Sequence, residues 1–340
     1  MNFSKKYPKV SIVMPTLNSQ RTLAESLSSI NTQDYKGEFE IIIADGGSTD
    51  KTIQIAKLNK TKVIKNKLKT AEAGKAVGAR YADGEIIAFI DSDNVLPEKN
   101  WLSKMVRPFI ANPEIIASEP LHFTYRKSDH FLTRYFALLG MGDPLSLFIG
   151  NYDRYSYISD KWTALHLKFK DKGDYLEISL RNEIPTIGAN GFLIKAEELK
   201  KYKHRDYLFD IDVLKFLAKD HPVKVAKVKV GIIHLFTGDI ATFVRKQKRR
   251  IRDFMYFSKI GVRERYHRTD QMIIGVIKFT LATILIIPVI IQTIQGYRRE
   301  ADVAWFFHPF ACFLTLYVYG TEIIRSIFVK EKFDRKSWHQ

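Results

Sequence analysis

Apolar runs of about six residues alternate with segments of helical spacing through the first ninety or so positions. Lys9-Val10-Ser11-Ile12-Val13-Met14 reads as a strand, and Thr16 to Ile30 as a helix with Leu23, Leu27 and Ile30 on one face. Phe39 to Ala44 is a second strand of buried type, followed by a helix over Thr49 to Lys57 with Ser48 placed to cap it. Lys62-Val63-Ile64 is a short strand, Ala71 to Ala82 a helix, and Glu85 to Ile90 another buried strand. Strands rich in Ile and Val, separated by helices, predict an α/β domain with a mostly parallel sheet covered on both faces. Ligands of such sheets bind at the carboxyl ends of the strands. Here those ends carry Pro15-Thr16-Leu17-Asn18, Asp45 and Asp91-Ser92-Asp93.

The other end of the chain changes character. Met272 to Ile291 holds 20 residues with one formal charge, Lys278, and Val303 to Gly320 holds 18 with none. About 20 apolar residues match a bilayer core, so the two runs predict a transmembrane helical hairpin, with Gly296 to Asp302 as connector and Pro288 kinking the first helix. The beginning, Met1 to Lys9, is polar, and the apolar stretch after it stops at Met14; it reads as a first strand and not as a signal peptide. The expected organisation is a soluble domain over 1–230, a basic juxtamembrane or interfacial helical linker over 231–270, two spans over 271–328 and a cytoplasmic tail over 329–340.

Charge sharpens this picture. The 54 Lys and Arg exceed the 37 Asp and Glu by 17. Ten Lys/Arg against two Asp/Glu fall between Arg245 and Arg268, and the tail Lys330 to Lys336 is basic too. Positive residues beside apolar runs put both termini and the soluble domain on the cytoplasmic side of the cell membrane. They also make nucleic acid the weaker explanation of the charge. A single cysteine, Cys312, excludes an internal disulfide framework and a Cys-rich zinc site.

Asp91 and Asp93 stand two apart directly after an apolar strand. Carboxylates beside a core need a cation or strong donors, and a divalent metal bridging a diphosphate supplies one. Asp45 suits either acceptance from a nucleotide or capping with Ser48, and Gly46 either close approach to a ligand or a tight turn. Lys75 and Arg80 share a helix near the same edge, placed either to face phosphates or to form a solvated face.

These segments resemble the family-2 glycosyltransferases of the GT-A fold. The resemblance lies in Val10 to Asn18, in Ile41-Ile42-Ile43-Ala44-Asp45-Gly46-Gly47-Ser48-Thr49-Asp50 and in Gly84 to Asp93, in the family's order and spacing, over about the first 110 residues. It implies a site for a nucleoside diphosphate sugar, with Asp45 at the base, Asp91 at the ribose or metal, and Asp93 at a Mn²⁺ or Mg²⁺ ion. Pro15, Thr16, Asn18, Gly46, Lys75, Arg80 and Ser92 would complete the donor site. Gly188-Ala189-Asn190-Gly191 resembles the family's segment along the donor sugar, bringing in Asn190. Phe209-Asp210-Ile211-Asp212 resembles its acidic pair at a helix start, which implies Asp210 as catalytic base and Asp212 as its neighbour; favourable acids at a helix N-terminus are the alternative. His234, after Val230 to Ile233, resembles a position near the diphosphate, a metal or phosphate role against a structural one. The chain departs from the pattern at Gly46, where a second Asp is common, and at Phe209, where Glu is common. Gln247-Lys248-Arg249-Arg250-Ile251 resembles the Q-x-x-R-W signature of processive synthases, but Ile251 replaces Trp and only two apolar runs follow.

The resemblance therefore implies inverting, metal-dependent transfer of a hexose to a membrane lipid acceptor such as polyprenyl phosphate. Arg245, Lys246, Arg249 and Arg250 would hold the leaving diphosphate or the lipid phosphate. Addition of one sugar to a lipid-linked oligosaccharide or glycolipid is the nearest alternative, and a catalytically silent sugar-nucleotide binder is one of another class. A nucleotidyltransferase would carry a Gly-rich, Arg-containing loop where Met14-Pro15-Thr16-Leu17 stands. The aromatic-rich stretch Ser118 to Thr186 stays open: Phe131 to Ile149 fits a helix on the membrane surface, an acceptor lid or ordinary core.

Overall fold

The computed structural model describes residues 7–202, 206–236, 238–260 and 269–328. The linker residues 261–268 and the basic tail 329–340 lie outside the described residues. Ten strands form one mixed sheet: β1 Val10–Thr16, β2 Phe39–Asp45, β3 Lys62–Lys65, β4 Ile86–Phe89, β5 Asn94–Val95, β6 Ile115–Thr124, β7 Phe169–Asp171, β8 Tyr175–Leu180, β9 Phe192–Lys195 and β10 Val223–His234. The order is β3-β2-β1-β4-β9-β6-β10-β8-β7, with β5 paired to the end of β10.

The first four strands are parallel, as the alternating pattern requires. Ile12, Met14 and Ile43 pack on one face with Leu23, Leu27 and Ile30 of helix Leu23–Asn31 and with Trp101, Met105 and Val106 of helix Trp101–Ala111. Val13, Ile87 and Phe89 pack on the other with Ala76 of helix Ala71–Arg80 and with Val213, Leu214 and Leu217 of helix Asp210–Leu217. Both faces are covered, which is why these strands read as continuous apolar runs. β9 enters antiparallel between β4 and β6, and this late strand joins the nucleotide-type half of the sheet to the rest.

Pro15 sits inside central strand β1 without costing a ladder bond. Val13 O accepts from Ile90 N on the β4 side and Thr16 O from Gly46 N on the β2 side, so the Pro15 nitrogen faces the β4 side beyond the end of that strand. There the strands part and the cleft opens.

Three expectations change. The boundary at 230/231 falls inside β10, so the helix of the expected helical linker begins only at Ile240 and runs to Ile260. Phe131 to Ile149 is two helices, Phe131–Leu139 and Pro144–Ile149, broken at Gly140. The first is core: Leu132, Tyr135, Phe136 and Leu139 pack with Phe236, Phe243, Trp305, Phe307 and Ala311. The first span, expected to kink at Pro288, becomes two helices, Thr269–Leu285 and Ile287–Arg299, bent by 93° at Ile286, two residues ahead of that proline. Among the described residues one helix, Val303–Phe328, is long and apolar enough to cross a membrane, or two if the bent pair counts as one span.

Helix Ala71–Arg80 lies directly on β1. A Cβ at Gly78 would stand 2.3 Å from Val13 Cγ1, whereas one at Gly320 would meet nothing within 4 Å. Gly78→Ala is therefore expected to destabilise the protein by about 1–3 kcal/mol through overpacking. Gly320→Ala should leave the thermal transition unchanged or raise it, and paired melting curves compare the two.

Candidate active site

The cleft is built where the loops after β1, β2 and β4 meet. Asn18 accepts from Thr49 N (2.9 Å) through its side chain, and its own N–H donates to Ser48 Oγ (2.9 Å), which locks the first loop to the second. Ser92 Oγ donates to Ser19 Oγ (3.0 Å) and brings in the third. Asp45 closes the second loop on itself. Its carboxylate accepts from Thr16 Oγ1 (2.9 Å), Gly47 N (2.8 Å), Ser48 N (2.8 Å) and Ser48 Oγ (2.5 Å). Those four bonds fill its acceptor positions, so the geometry gives Asp45 and Thr16 the shaping of the turn in place of a direct contact with a base. Ser48 serves Asp45 and not the helix start, which lies at Thr52. At Gly46 the close neighbour is the chain itself: a Cβ there would stand 3.2 Å from Lys69 Cα.

Asp91 and Asp93 part company within their turn. Asp91 Oδ1 lies 3.4 Å from Lys75 Nζ, and Lys75 also donates to Asp210 Oδ2. Asp93 Oδ2 lies 3.3 Å from His234 Nε2. β5 makes this second contact possible, because Asn94 pairs with His234 at the end of β10. Asn94 also donates to Asn190 Oδ1 (3.0 Å), which brings the Gly188–Gly191 loop to the same turn. Burial pushes the Asp93 carboxyl up, but His234 and Lys246 outweigh it and hold it down to about 2. Burial raises the Asp210 carboxyl above its usual range; Lys75 opposes the shift and Asp91 adds to it. An acid raised in this way is suited to taking a proton.

Several residues stand apart from the expected roles. Lys75 is buried between two carboxylates and is not turned toward a phosphate. Arg80 is five positions further along the helix, about 7.5 Å away and about 140° around it, and donates to Ala76 O of its own helix (3.3 Å). Asp212 is fully buried two positions from Asp210 and about 200° around the helix, and it is Asp210 that pairs with Lys75. Of the four linker cations, Lys246 and Arg250 border a small cavity with His234, Gln247, Phe123, Phe136 and Phe236. Arg245 and Arg249 are exposed one helix position away from that row, and Arg245 donates to Thr242 Oγ1 (2.8 Å).

One group escaped the sequence reading. Glu119, Arg154 and Lys227 are fully buried beneath the Gly188–Gly191 loop, with Asp153 beside them. Arg154 pairs with Glu119 and Asp153 and donates to the carbonyls of Ala189 (2.7 Å) and Asn190 (3.2 Å). Lys227 donates to Glu119 Oε2 (2.6 Å), and Glu119 Oε1 accepts from Gly188 N (2.8 Å). Gly188 has φ +146°, and a Cβ there would lie 2.4 Å from Asp210 O. This loop thus couples Asn190 to Asp210. The available signal was the charge inside apolar strand β6, Glu119; β10 carries three lysines, Lys224, Lys227 and Lys229, so its pattern did not single out Lys227.

Among the described residues no group of three or more His, Cys, Asp and Glu is assembled for a metal ion. Asp93 and His234 together offer one carboxylate and one imidazole, a partial donor set that a ligand's own oxygens would complete.

The family model of glycosyl transferase family 2 matches residues 11–195, more than half of the chain. The poly(ribitol-phosphate) β-N-acetylglucosaminyltransferase TarS of Staphylococcus aureus is 31% identical over 147 residues, which is 41% of this chain and 23% of TarS. The UDP-Glc:α-D-GlcNAc-diphosphoundecaprenol β-1,3-glucosyltransferase WfgD of Escherichia coli is 38% identical over 93 residues, 25% of this chain and 35% of WfgD. These matches thus span about a quarter to a third of the relatives' own length. The mannosyltransferase PcManGT of Pyrobaculum calidifontis, solved with GDP-Man and Mn²⁺, is 14% identical, covers 95% of this chain and 88% of its own, and superposes with a TM-score of 0.54, a likeness of fold.

Lys75→Met leaves Asp91 and Asp210 facing each other without their cation. The variant is expected to lose about 3–5 kcal/mol of stability at neutral pH. The Asp210 carboxyl, already raised by burial, loses the cation that opposes the shift, so the loss should shrink as pH falls through that raised value. Denaturant melts at pH 7.5 and pH 4.5 check both the size and the sign.

Proposed function

The chain belongs to glycosyl transferase family 2, and from that premise we propose that it transfers a hexose, with inversion, from a nucleoside diphosphate sugar to polyprenyl phosphate in the cell membrane. The carrying observation is the cavity beside His234, where Lys246 and Arg250 border the aromatic rings of Phe123, Phe136 and Phe236. Two cations against an aromatic wall suit a phosphate joined to an isoprenoid chain.

The nucleotide sugar takes the cleft at the ends of β1, β2 and β4, lined by Pro15, Asn18, Asp91, Ser92 and Asn190. Asp93 and His234 would hold a divalent cation, with the diphosphate oxygens completing its shell. Mixed carboxylate and imidazole ligation fits Mn²⁺ better than Mg²⁺, and Mn²⁺ is the ion bound in PcManGT. When bound, the ion neutralises charge developing on the leaving diphosphate. Asp210 takes the proton of a hydroxyl acceptor, and Lys75 holds it in place. A lipid phosphate, with its second pKa near about 6, is already ionised and needs little such help. Lys246 and Arg250 then hold the attacking phosphate.

A second reading is supported by WfgD, whose name gives it a diphosphoundecaprenol-linked sugar as acceptor. There the attacking group is a sugar hydroxyl, and Asp210 becomes essential. Membrane location is supported by the apolar C-terminal helices and the adjoining basic helix, with the catalytic domain and both termini on the cytoplasmic face.

Nucleoside diphosphate release by detergent-purified protein, over a panel of UDP- and GDP-sugars with Mn²⁺, tests this reading. Release that needs both one donor and polyprenyl phosphate is the expected result. Release indifferent to lipid phosphate moves the acceptor to a lipid-linked sugar, and metal-dependent nucleotide binding without release favours the silent binder.

Asp210→Asn then separates the two acceptors. It should lower turnover about 10²- to 10⁴-fold with a sugar acceptor and far less with lipid phosphate. Full activity on a sugar acceptor would remove Asp210 as the base. Asp93→Ala should abolish the response to Mn²⁺, read as nucleotide affinity with and without the ion.

A further inference from the structure

We propose that the three C-terminal helices, Thr269–Leu285, Ile287–Arg299 and Val303–Phe328, form one platform lying in the plane of an anionic bilayer, with none of them crossing it. The proposal rests on the membrane location given above and replaces the transmembrane hairpin that the sequence pattern predicts.

The longest helix binds the catalytic domain along its length. His308 meets Tyr135 Oη (2.8 Å) near its start. Tyr319 Oη donates to Asp143 Oδ2 (2.6 Å) and Gln247 Oε1 (3.1 Å). Glu322 pairs with Lys248 (3.2 Å) and Arg252 (2.6 Å) of the basic helix Ile240–Ile260. His308, Cys312, Thr315, Tyr319 and Glu322 make one buried stripe at helical spacing. From His308 to Glu322 the stripe runs about 21 Å. A bilayer core is about 30 Å thick, so a helix crossing it would draw Asp143, Lys248 and Arg252 into hydrocarbon with it.

Helix Thr269–Leu285 docks on that domain as well. A Cβ at Gly275 would stand 2.7 Å from Ile149 Cα of the catalytic domain, and Phe148 stacks edge-on against Phe279. The connector returns to that domain as well: Arg299 donates to Tyr157 O (2.8 Å), and Arg134 pairs with Asp302 (3.2 Å). A hairpin would carry this connector to the far side of the membrane. With the 93° bend at Ile286, helix Ile287–Arg299 packs on the other two helices, with Gly296 against Trp305, and reaches the catalytic domain through Arg299 at its end.

The outward face is apolar. Of 28 exposed large hydrophobic side chains among the described residues, 22 lie between Ile273 and Phe328, Ile287, Phe306 and Phe328 among them. So large an unpartnered surface marks an interaction site. Charge selects the occupant. The chain carries +17 and the basic helix flanks the face, so a second copy would be repelled while anionic headgroups would be attracted.

Accessibility of single cysteines tests the arrangement, with native Cys312 fully buried. Arg298→Cys in the connector and Gln295→Cys in the helix turn just before it are compared with Lys57→Cys on the catalytic domain; all three native side chains are exposed. An impermeant maleimide is applied to inside-out and right-side-out membrane vesicles. Labelling of all three from the same side is expected, and connector labelling from the opposite side overturns the in-plane arrangement. The double variant Ile287→Glu/Phe306→Glu is expected to lower co-flotation with phosphatidylglycerol vesicles at least about tenfold while keeping the wild-type melting temperature. Unchanged flotation, or conversion of a dimer to a monomer, makes a second copy the occupant. Failure of the wild-type protein to float overturns the membrane location itself.

Discussion

Lys75 is the point on which the catalytic half depends. Its ammonium is buried between Asp91, which ends the β4 run, and Asp210, which begins a helix 119 residues later. Neither carboxylate is tolerable in that position without it, because like charges in a poorly hydrated site repel strongly. Burial alone would lower the charge on Lys75, yet the two acids outweigh burial and keep it protonated. One cation thus fixes the distance between the donor-side turn and the candidate base. Asp93, two residues on, is free to face His234 because Asp91 is already engaged.

The second constraint lies under the Gly188–Gly191 loop. Glu119, Arg154, Lys227 and Asp153 are two acids and two bases, and their charges cancel. A buried cluster of this kind is weak evidence for stability, since well-packed apolar residues often do as well. Its visible consequence is directional. Arg154 spends two donors on the carbonyls of Ala189 and Asn190, and Glu119 spends an acceptor on Gly188 N. The loop that touches both Asn94 and Asp210 is thereby held from below.

β10 runs from the candidate site toward the apolar C-terminal helices. Lys227 lies near its middle and His234 at its end, and Phe236 just beyond packs with Phe136 and Phe243 in the core shared with Trp305 and Phe307. The helix that follows places Lys246 toward Asp93 and Lys248 and Arg252 toward Glu322. A phosphate at Lys246 and a lipid chain on the platform would therefore meet at one short helix segment.

The strands, their burial on both faces and the Asp91-Ser92-Asp93 turn were legible in the sequence, because run length and spacing record local geometry and local burial. So was the excess of positive charge beside the apolar C-terminal runs. The partners of the buried charges were not. Lys75 looked like a phosphate ligand because nothing near it in sequence shows that Asp210 will face it. Arg154 and Glu119 were hidden in an aromatic-rich stretch for the same reason. The apolar runs near the C-terminus determined that this end seeks an apolar environment. Whether its helices span or lie flat depends on where His308, Tyr319 and Glu322 find their partners. Periodicity acts over three or four residues, whereas a buried charge or hydroxyl answers to whichever group the folded sheet brings beside it, and only the tertiary structure decides that.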